Sequence, residues 1–281
     1  MTVSFWLRRV LAAGCVVTLV AAAAAAQAPA QGAQKPASEE EFVPQVGQAG
    51  KDVVWVPTPP ELVEAMLDLA KVTPQDYVID LGSGDGRNVV AAARRGARAL
   101  GVEFNPQMVA LSKRNAANAG VTDRASFIEG DMYQADISKA NVMALFLLPS
   151  NMLVLRPKFL ELRPGSRIVS NTFGIEGWTP DETRTIEGNC SAWCTALLWI
   201  VPAKVDGMWR LGGGELALTQ EYQMLKGTLD GRLIADGRLR GDQIRFTVGP
   251  TEYLGTVTGN RIEGTVRGGG PATSWTATRM N

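Results

Sequence analysis

The chain has 281 residues with 28 basic and 28 acidic side chains, so its formal net charge at neutral pH is zero. No basic stretch alternates with aromatic residues, which argues against nucleic acid as a partner. Histidine is absent from the whole sequence, which excludes Ser-His-Asp triads, His-Glu-x-x-His zinc sites and an imidazole general base. Three cysteines are too few for a zinc site without histidine, so no metal is expected.

The N-terminus has the pattern of an export signal. Arg8 and Arg9 precede an apolar stretch over residues 10–26, which ends in small residues suited to signal-peptidase cleavage. We therefore expect residues 1–26 to be a signal peptide and the protein to be exported to the periplasm, with the paired arginines resembling a twin-arginine signal. The alternative is an uncleaved leader that anchors the chain, and only then is the membrane a partner. Residues 27–50 lack any apolar period and are predicted to form a flexible linker.

A helix is predicted at the start of the folded part. Thr58 and Glu61 have the spacing of a capping box, which would place Pro59 at the first helical position. The apolar residues of 62–70 form one stripe of this helix.

The next segment predicts a strand, a tight glycine turn and a helix. Asp80 ends the strand, and Gly82, Gly84 and Gly86 allow positive φ and leave no side chain between the turn and a ligand. The dinucleotide fingerprint G-x-G-x-x-G fails, because its third glycine position falls on Arg87. The pattern that fits is D-x-G-x-G-x-G.

Two further acids follow the next two predicted strands. Glu103 ends the strand over residues 98–103, where one carboxylate can accept hydrogen bonds from both hydroxyls of a ribose. Asp131 follows the strand over residues 125–128 and is followed by Met132.

The remaining pattern alternates strand and helix and ends in a hairpin. Strands are predicted over residues 142–148 and 167–172, followed by antiparallel strands over 182–187 and 193–201. This order indicates an α/β fold with a largely parallel sheet.

Cys190 and Cys194 have C-x-x-x-C spacing, and the sequence leaves a disulfide and two free thiols equally open.

The composition changes after Asp206. Residues 207–281 contain seven short alternating runs separated by turn signals such as Asp230-Gly231 and Gly259-Asn260. They predict a small second domain, an up-and-down β-meander or open barrel. We expect it to be a packing or oligomerisation appendage rather than a ligand module.

Three segments together carry a resemblance to a known family: Val56-Pro57-Thr58-Pro59, Asp80 to Arg87, and Leu147-Leu148-Pro149. They resemble the ATP synthase c-subunit lysine N-methyltransferase and its bacterial relatives, within the class I S-adenosylmethionine (SAM) dependent methyltransferases. The resemblance covers roughly residues 51–203. It implies a Rossmann-like, seven-stranded methyltransferase sheet in a domain of residues 51–204, with the β-meander domain after it.

The resemblance also implies a cofactor and a reaction. SAM is the expected cofactor, and an amino nitrogen, in a protein lysine or a small molecule, is the expected methyl acceptor. The Asn/Asp-Pro-Pro-Tyr/Phe motif of many amino-group methyltransferases is replaced here by Leu147-Leu148-Pro149-Ser150. The predicted cofactor-binding residues are Thr58, Asp80, Gly82, Ser83, Gly84, Glu103, Asp131 and Met132.

No catalytic residue follows from the sequence. Asp85, Tyr133 and Glu176 are candidate neighbours of an acceptor nitrogen that could take its proton. The alternative function is an exported binding protein with a degenerate methyltransferase fold, in which the C-terminal β-domain performs recognition.

Overall fold

The computed structural model describes residues 42–187, 190 and 192–280. The predicted signal peptide and residues 27–41 of the predicted linker lie outside the described residues. Within the described ranges, no helix is both long enough and apolar enough to cross a membrane.

The first half of the described chain forms a seven-stranded sheet in the order β3-β2-β1-β4-β5-β7-β6. Strands β1 to β5 run parallel, and β7 pairs antiparallel with both β5 and β6. This is the Rossmann-like methyltransferase sheet that the sequence predicted. The strands are β1 (Tyr77–Leu81), β2 (Arg98–Glu103), β3 (Ala125–Glu129), β4 (Val142–Leu145), β5 (Arg167–Asn171), β6 (Glu182–Thr185) and β7 (Thr195–Ile200).

Both faces of this sheet are covered, because neighbouring residues along a strand enter different hydrophobic clusters. Val78 packs into the cluster that contains the first three helices, whereas Ile79 packs into the cluster of the fourth. The chain order reverses between β1 and β4, and this switch point opens a crevice at the carboxyl ends of the strands. The helices are α1 (Pro60–Leu69), α2 (Arg87–Arg94), α3 (Pro106–Asn118) and α4 (Pro149–Leu160).

The predicted capping box at α1 is wrong. Helix α1 begins at Pro60 with Pro59 as its N-cap, and no side chain caps it. Thr58 lies one residue too early, and its Oγ1 instead accepts a hydrogen bond from Nδ2 of Asn171 at 3.3 Å.

The second half forms a closed antiparallel barrel. Each long strand pairs with the next in sequence, and β8 pairs with both β9 and β16. The two-residue β11 lies beside β10 outside the ring. The strands are β8 (Gly207–Leu211), β9 (Gly214–Glu221), β10 (Met224–Leu229), β11 (Arg232–Leu233), β12 (Ala235–Arg240), β13 (Gln243–Val248), β14 (Thr251–Thr258), β15 (Arg261–Arg267) and β16 (Thr273–Arg279).

The predicted meander is therefore present, but the ring is closed rather than open. Two strands were not predicted from the sequence: β8, which joins the two ends of the meander, and β12, of which the predicted runs include only Ala235. Trp209, Phe246 and Trp275 belong to the hydrophobic cluster of the barrel, and the rings of Phe246 and Tyr253 stack at 4.8 Å. Large side chains thus pack together in the barrel core.

The barrel and the sheet belong to one compact unit over residues 42–281. The ring of Tyr222 stacks on Trp178 with centroids 5.5 Å apart. Arg238 donates to Asp181 at 2.8 Å, and Nε2 of Gln223 donates to the carbonyl of Thr179 at 2.7 Å. Aromatic, ionic and backbone contacts thus join the two halves.

Candidate active site

A cavity of about 1220 Å³, its open mouth included, lies at the carboxyl ends of β1 to β4. The structure brings all of the predicted cofactor residues to the wall of this one cavity. They are Thr58, Asp80, Gly82, Ser83, Gly84, Glu103, Asp131 and Met132. Their individual roles in holding SAM stay a prediction.

The glycine turn forms the floor between β1 and α2. Gly82, Gly84 and Gly86 have φ of +68°, +55° and +80°, a region that L side chains rarely adopt. A Cβ on Gly84 would stand 2.6 Å from Nε1 of Trp55, so a side chain has no room there. The amides of Gly82 and Ser83 donate to the carbonyl of Val102, which fixes the turn against β2.

Two hydroxyl residues border the turn in different ways. Oγ of Ser83 lies against Gly101, where an added Cβ would meet it at 2.6 Å, so this hydroxyl packs between the turn and β2. Thr58 is buried, and NH1 of Arg87 donates to its carbonyl at 2.6 Å. Arg87 and Asn171 therefore hold Thr58 at the cavity from two sides.

Glu103 links the turn to the start of α3. Its two carboxylate oxygens accept from the amides of Gly84 and Asn105, both at 2.9 Å. Each oxygen keeps a further lone pair, so the carboxylate can still accept from the hydroxyls of a bound ligand.

Asp80 is the buried acid of the cavity, with 3% of its surface exposed. Burial raises its pKa well above the usual range, and the nearby carboxylates of Glu103 and Asp85 add to this rise. The hydrogen bond that Nδ2 of Asn88 donates at 3.1 Å opposes the rise only in part. A cation placed beside such a carboxyl stabilises its charged form strongly. The ammonium group of a methionine moiety is a cation of this kind.

Asp131 carries a cationic partner in this structure. It accepts from Nζ of Lys51 at 2.7 Å and from the amide of Tyr133 at 2.8 Å. These two donors hold the pKa of Asp131 below its usual range, with the Lys51 hydrogen bond as the larger cause. Nζ of Lys51 also lies 5.2 Å from the ring centroid of Phe104.

Lys51 belongs to a segment that we call the N-terminal hairpin, residues 45–55. The amide of Gly47 donates to the carbonyl of Trp55, and the amide of Trp55 donates back to Gln48, at 2.8 and 2.9 Å. Residues 45–50, which the sequence assigns to the linker, form one arm of this hairpin, and part of that arm lines the cavity.

Aromatic side chains line the opposite end of the cavity. Phe146 follows β4, Phe173 follows β5 and Trp193 precedes β7, so all three lie at one edge of the sheet. The ring of Phe146 is 6.0 Å from those of both Phe173 and Trp193. We call them the aromatic wall. None of the three was predicted from the sequence.

Of the three candidate proton acceptors, only Asp85 lines the cavity as far as the described residues show. Arg87 donates to both of its carboxylate oxygens, at 2.9 and 2.6 Å. Oη of Tyr133 accepts from Nδ2 of Asn151 at 2.7 Å, and Glu176 is exposed.

Comparison with known proteins identifies the family. The ANTKMT methyltransferase domain matches residues 80–182. A protein-lysine N-methyltransferase of Saccharolobus islandicus (strain REY15A) is 42% identical over 153 residues, which cover 53% of this chain and 94% of that protein. The chain belongs to this methyltransferase family.

Two further relatives agree with this assignment. The methyltransferase is 39% identical over 117 residues to the mouse ATP synthase c-subunit lysine N-methyltransferase, covering 41% of this chain and 47% of the mouse protein. It is 45% identical to an RNA methyltransferase from Salinibacter ruber crystallised with S-adenosylhomocysteine (SAH), with a TM-score of 0.50. That match covers 53% of this chain and 96% of the other. The protein is thus a SAM-dependent methyltransferase.

The residues of the cavity fit this cofactor. A turn without side chains at Gly82 and Gly84 lies beside Asp80, Glu103 and Asp131, which stand at or just after the ends of three adjacent parallel strands. The buried carboxyl at 80 is difficult to account for by packing alone, because burying an unpaired carboxylate is costly.

Proposed function

We propose that the protein transfers the methyl group of SAM to the side-chain nitrogen of a lysine in a protein. The observation that carries this proposal is the division of one cavity into an acidic end at β1 to β3 and an aromatic end at β4, β5 and β7. The name of the Saccharolobus relative, which this chain matches over 94% of its length, supports lysine as the acceptor.

The aromatic end suits an amine that must lose its proton before it reacts. SAM supplies an activated methyl group on its sulfonium. Leu147 is buried where other amino-group methyltransferases carry an Asn or Asp, so the apolar surroundings lower the pKa of an entering lysine. The rings exclude water and align the nitrogen. A carboxylate such as Asp85 or a water takes the proton, since the chain has no histidine.

RNA is the rival acceptor, because the Salinibacter relative is named for it. The basic side chains that line the described cavity are Lys51 and Arg87, and both already contact carboxylates. An RNA-binding surface needs basic groups that are available for phosphates. Together with the zero net charge, this favours lysine.

We further propose that the protein is exported. The leader pattern of residues 1–26 and the disulfide between Cys190 and Cys194 support this, since such bonds persist in oxidising compartments. The test is mass spectrometry of the protein from fractionated cells. A periplasmic product beginning near residue 27 is expected, and an intact leader in the cytoplasmic fraction would contradict export.

The function is tested by calorimetry with SAM and SAH and by methyl transfer to protein and RNA extracts. Two glycines of the cavity provide a matched pair of variants. Gly84→Ala combines a φ of +55° with a Cβ 2.6 Å from Trp55, so SAH affinity should fall at least about tenfold. Gly130→Ala places its Cβ 3.6 Å from Val102, an ordinary contact, and should bind normally.

Two results would contradict the proposal. No heat with either SAM or SAH would overturn the methyltransferase activity. Transfer to RNA with none to protein lysine would overturn the acceptor.

A further inference from the structure

Trp193 differs from the other two residues of the aromatic wall because its backbone has a left-handed conformation. Its φ is +54°, a left-handed conformation that is uncommon for a bulky residue and that clusters at functional sites. Its side chain lines the cavity, yet 41% of the residue is exposed. An exposed indole at a cavity mouth offers apolar surface to an incoming group.

The backbone that follows Trp193 is held by a disulfide and by two hydrogen bonds. Cys194 forms a disulfide with Cys190, which closes the end of the hairpin between β6 and β7. The carbonyl of Cys194 accepts from the amide of Ile186 at 2.9 Å. One residue further along, the carbonyl of Thr195 accepts from the amide of Thr172, next to β5, at 2.6 Å.

Thr172, which directly follows β5, has the same left-handed backbone conformation. Its φ is +57°, which is a genuine outlier for a β-branched residue, and it directly precedes Phe173. The two strained residues therefore hold Phe173 and Trp193 at the same edge of the sheet, each within reach of Phe146.

We propose that the Cys190–Cys194 disulfide positions Trp193 so that it completes, with Phe146 and Phe173, the surface that receives the acceptor lysine. This rests on the proposed function. The methylene stem of a lysine packs on aromatic rings, which places its nitrogen at this end of the cavity. The acids of the cofactor end lie on other strands, so loss of the wall affects the acceptor and leaves the cofactor in place.

The disulfide makes this surface sensitive to reduction. A dithiol such as dithiothreitol reduces the bond to the thiols of Cys190 and Cys194 and is itself oxidised to a cyclic disulfide. Without the bond, the backbone next to Trp193 is free to leave its left-handed conformation. The acceptor site then loses one of its three rings.

The test compares acceptor and cofactor binding in the full chain, with the acceptor found in the methyl-transfer assay. Trp193→Ala should raise KM for the acceptor about tenfold or more while SAH affinity changes less than twofold. Trp193→Phe keeps an aromatic ring and should recover most of the loss. Leu233→Ala, at a barrel residue that is 80% exposed, is the surface control and should change neither quantity.

The role of the disulfide has its own readout. Wild type treated with dithiothreitol, and the double variant Cys190→Ser with Cys194→Ser, should both show the raised KM with unchanged SAH affinity. The reductant should have no further effect on the double variant.

Two results overturn the inference and leave the function standing. One is an acceptor KM that is unchanged either in Trp193→Ala or after reduction; the other is a loss of SAH affinity in Trp193→Ala equal to the loss of acceptor binding. Wild type that methylates no lysine at all would overturn the proposed function instead.

Discussion

Two effects act in opposite directions on the protonation of Asp80. Burial in the free protein favours the neutral carboxyl, whereas a cation facing it in the complex favours the carboxylate. Its pKa is raised mainly by burial. Folding therefore favours its protonated form, so its contribution to stability is present below the unfolded pKa and is lost as pH rises through the folded pKa. A bound ammonium reverses the preference, since it stabilises the carboxylate.

Asp80→Asn should separate these effects. We expect the variant to be more stable than wild type at neutral pH without ligand, by about 1 kcal/mol or a melting temperature about 2–4 °C higher. Its affinity for SAM should fall by about tenfold or more, because a charge-assisted contact is lost. Thermal melts and calorimetry measure the two quantities.

The pH dependence provides the control. Wild-type affinity for SAM should weaken as pH falls through the raised pKa of Asp80, whereas the variant should lack this component. Equal affinities of the two proteins at neutral pH would contradict a contact between Asp80 and the ammonium group.

The acids and glycines could be predicted from the sequence because local spacing fixes their place. Asp80 and Gly82 belong to one turn, and Glu103 ends the next strand of a parallel sheet. Phe146 and Trp193 carry no such signal. They meet only because β4, β5 and β7 are adjacent in the folded sheet, and β7 runs antiparallel to the others.

The N-terminal hairpin contacts the cavity wall through Lys51, Val53 and Trp55. Its arms are joined by the hydrogen bonds between Gly47, Gln48 and Trp55, and Lys51 reaches Asp131 across the mouth. Lys51 and Asp131 are both about one-third exposed, so this ion pair contributes little. An element of this kind opens locally without global unfolding.

A ligand beneath the hairpin should therefore slow its opening. We expect saturating SAH to reduce hydrogen exchange at the amides of Gly47 and Trp55 about tenfold, as measured by mass spectrometry of the exchanged peptides. Peptides from β14 and β15 of the barrel serve as the control and should exchange unchanged. Equal protection of the hairpin with and without SAH would show that it does not cover the cofactor.

The N-terminal hairpin and β8 show why some strands and hairpins are harder to predict from sequence than glycine turns. Residues 45–50 have the composition of a linker, and only their pairing with Trp55 gives them a fixed place. Strand β8 has five residues and becomes recognisable through its partners β9 and β16.

The two halves of the molecule are joined through a buried carboxylate. The side chain of Asp181 is fully buried and accepts from Arg238 of the barrel and from the amide of Ile200, both at 2.8 Å. Removal of Arg238 leaves this carboxylate with one fewer donor. The sequence indicated only a change of composition near residue 206, because these partners lie 57 positions apart.

Arg238→Met should therefore destabilise the whole molecule. The arginine is 45% exposed, so solvent screening limits the expected loss to about 1 kcal/mol, or about 2–4 °C in melting temperature. Arg240→Met is the matched control, since its partner Glu182 is 39% exposed and little change is expected. Equal effects of the two variants would contradict this account of the interface.

The closed barrel also limits how copies of this protein can associate. Every strand of the ring pairs with a neighbour on each side, so among the described barrel strands only the two-residue β11, which lies outside the ring, offers a second molecule an edge to extend. In the described sheet, the open edges are β3 and the four-residue β6. Self-association through backbone pairing is thereby directed away from the barrel, and toward the half of the molecule that carries the cavity.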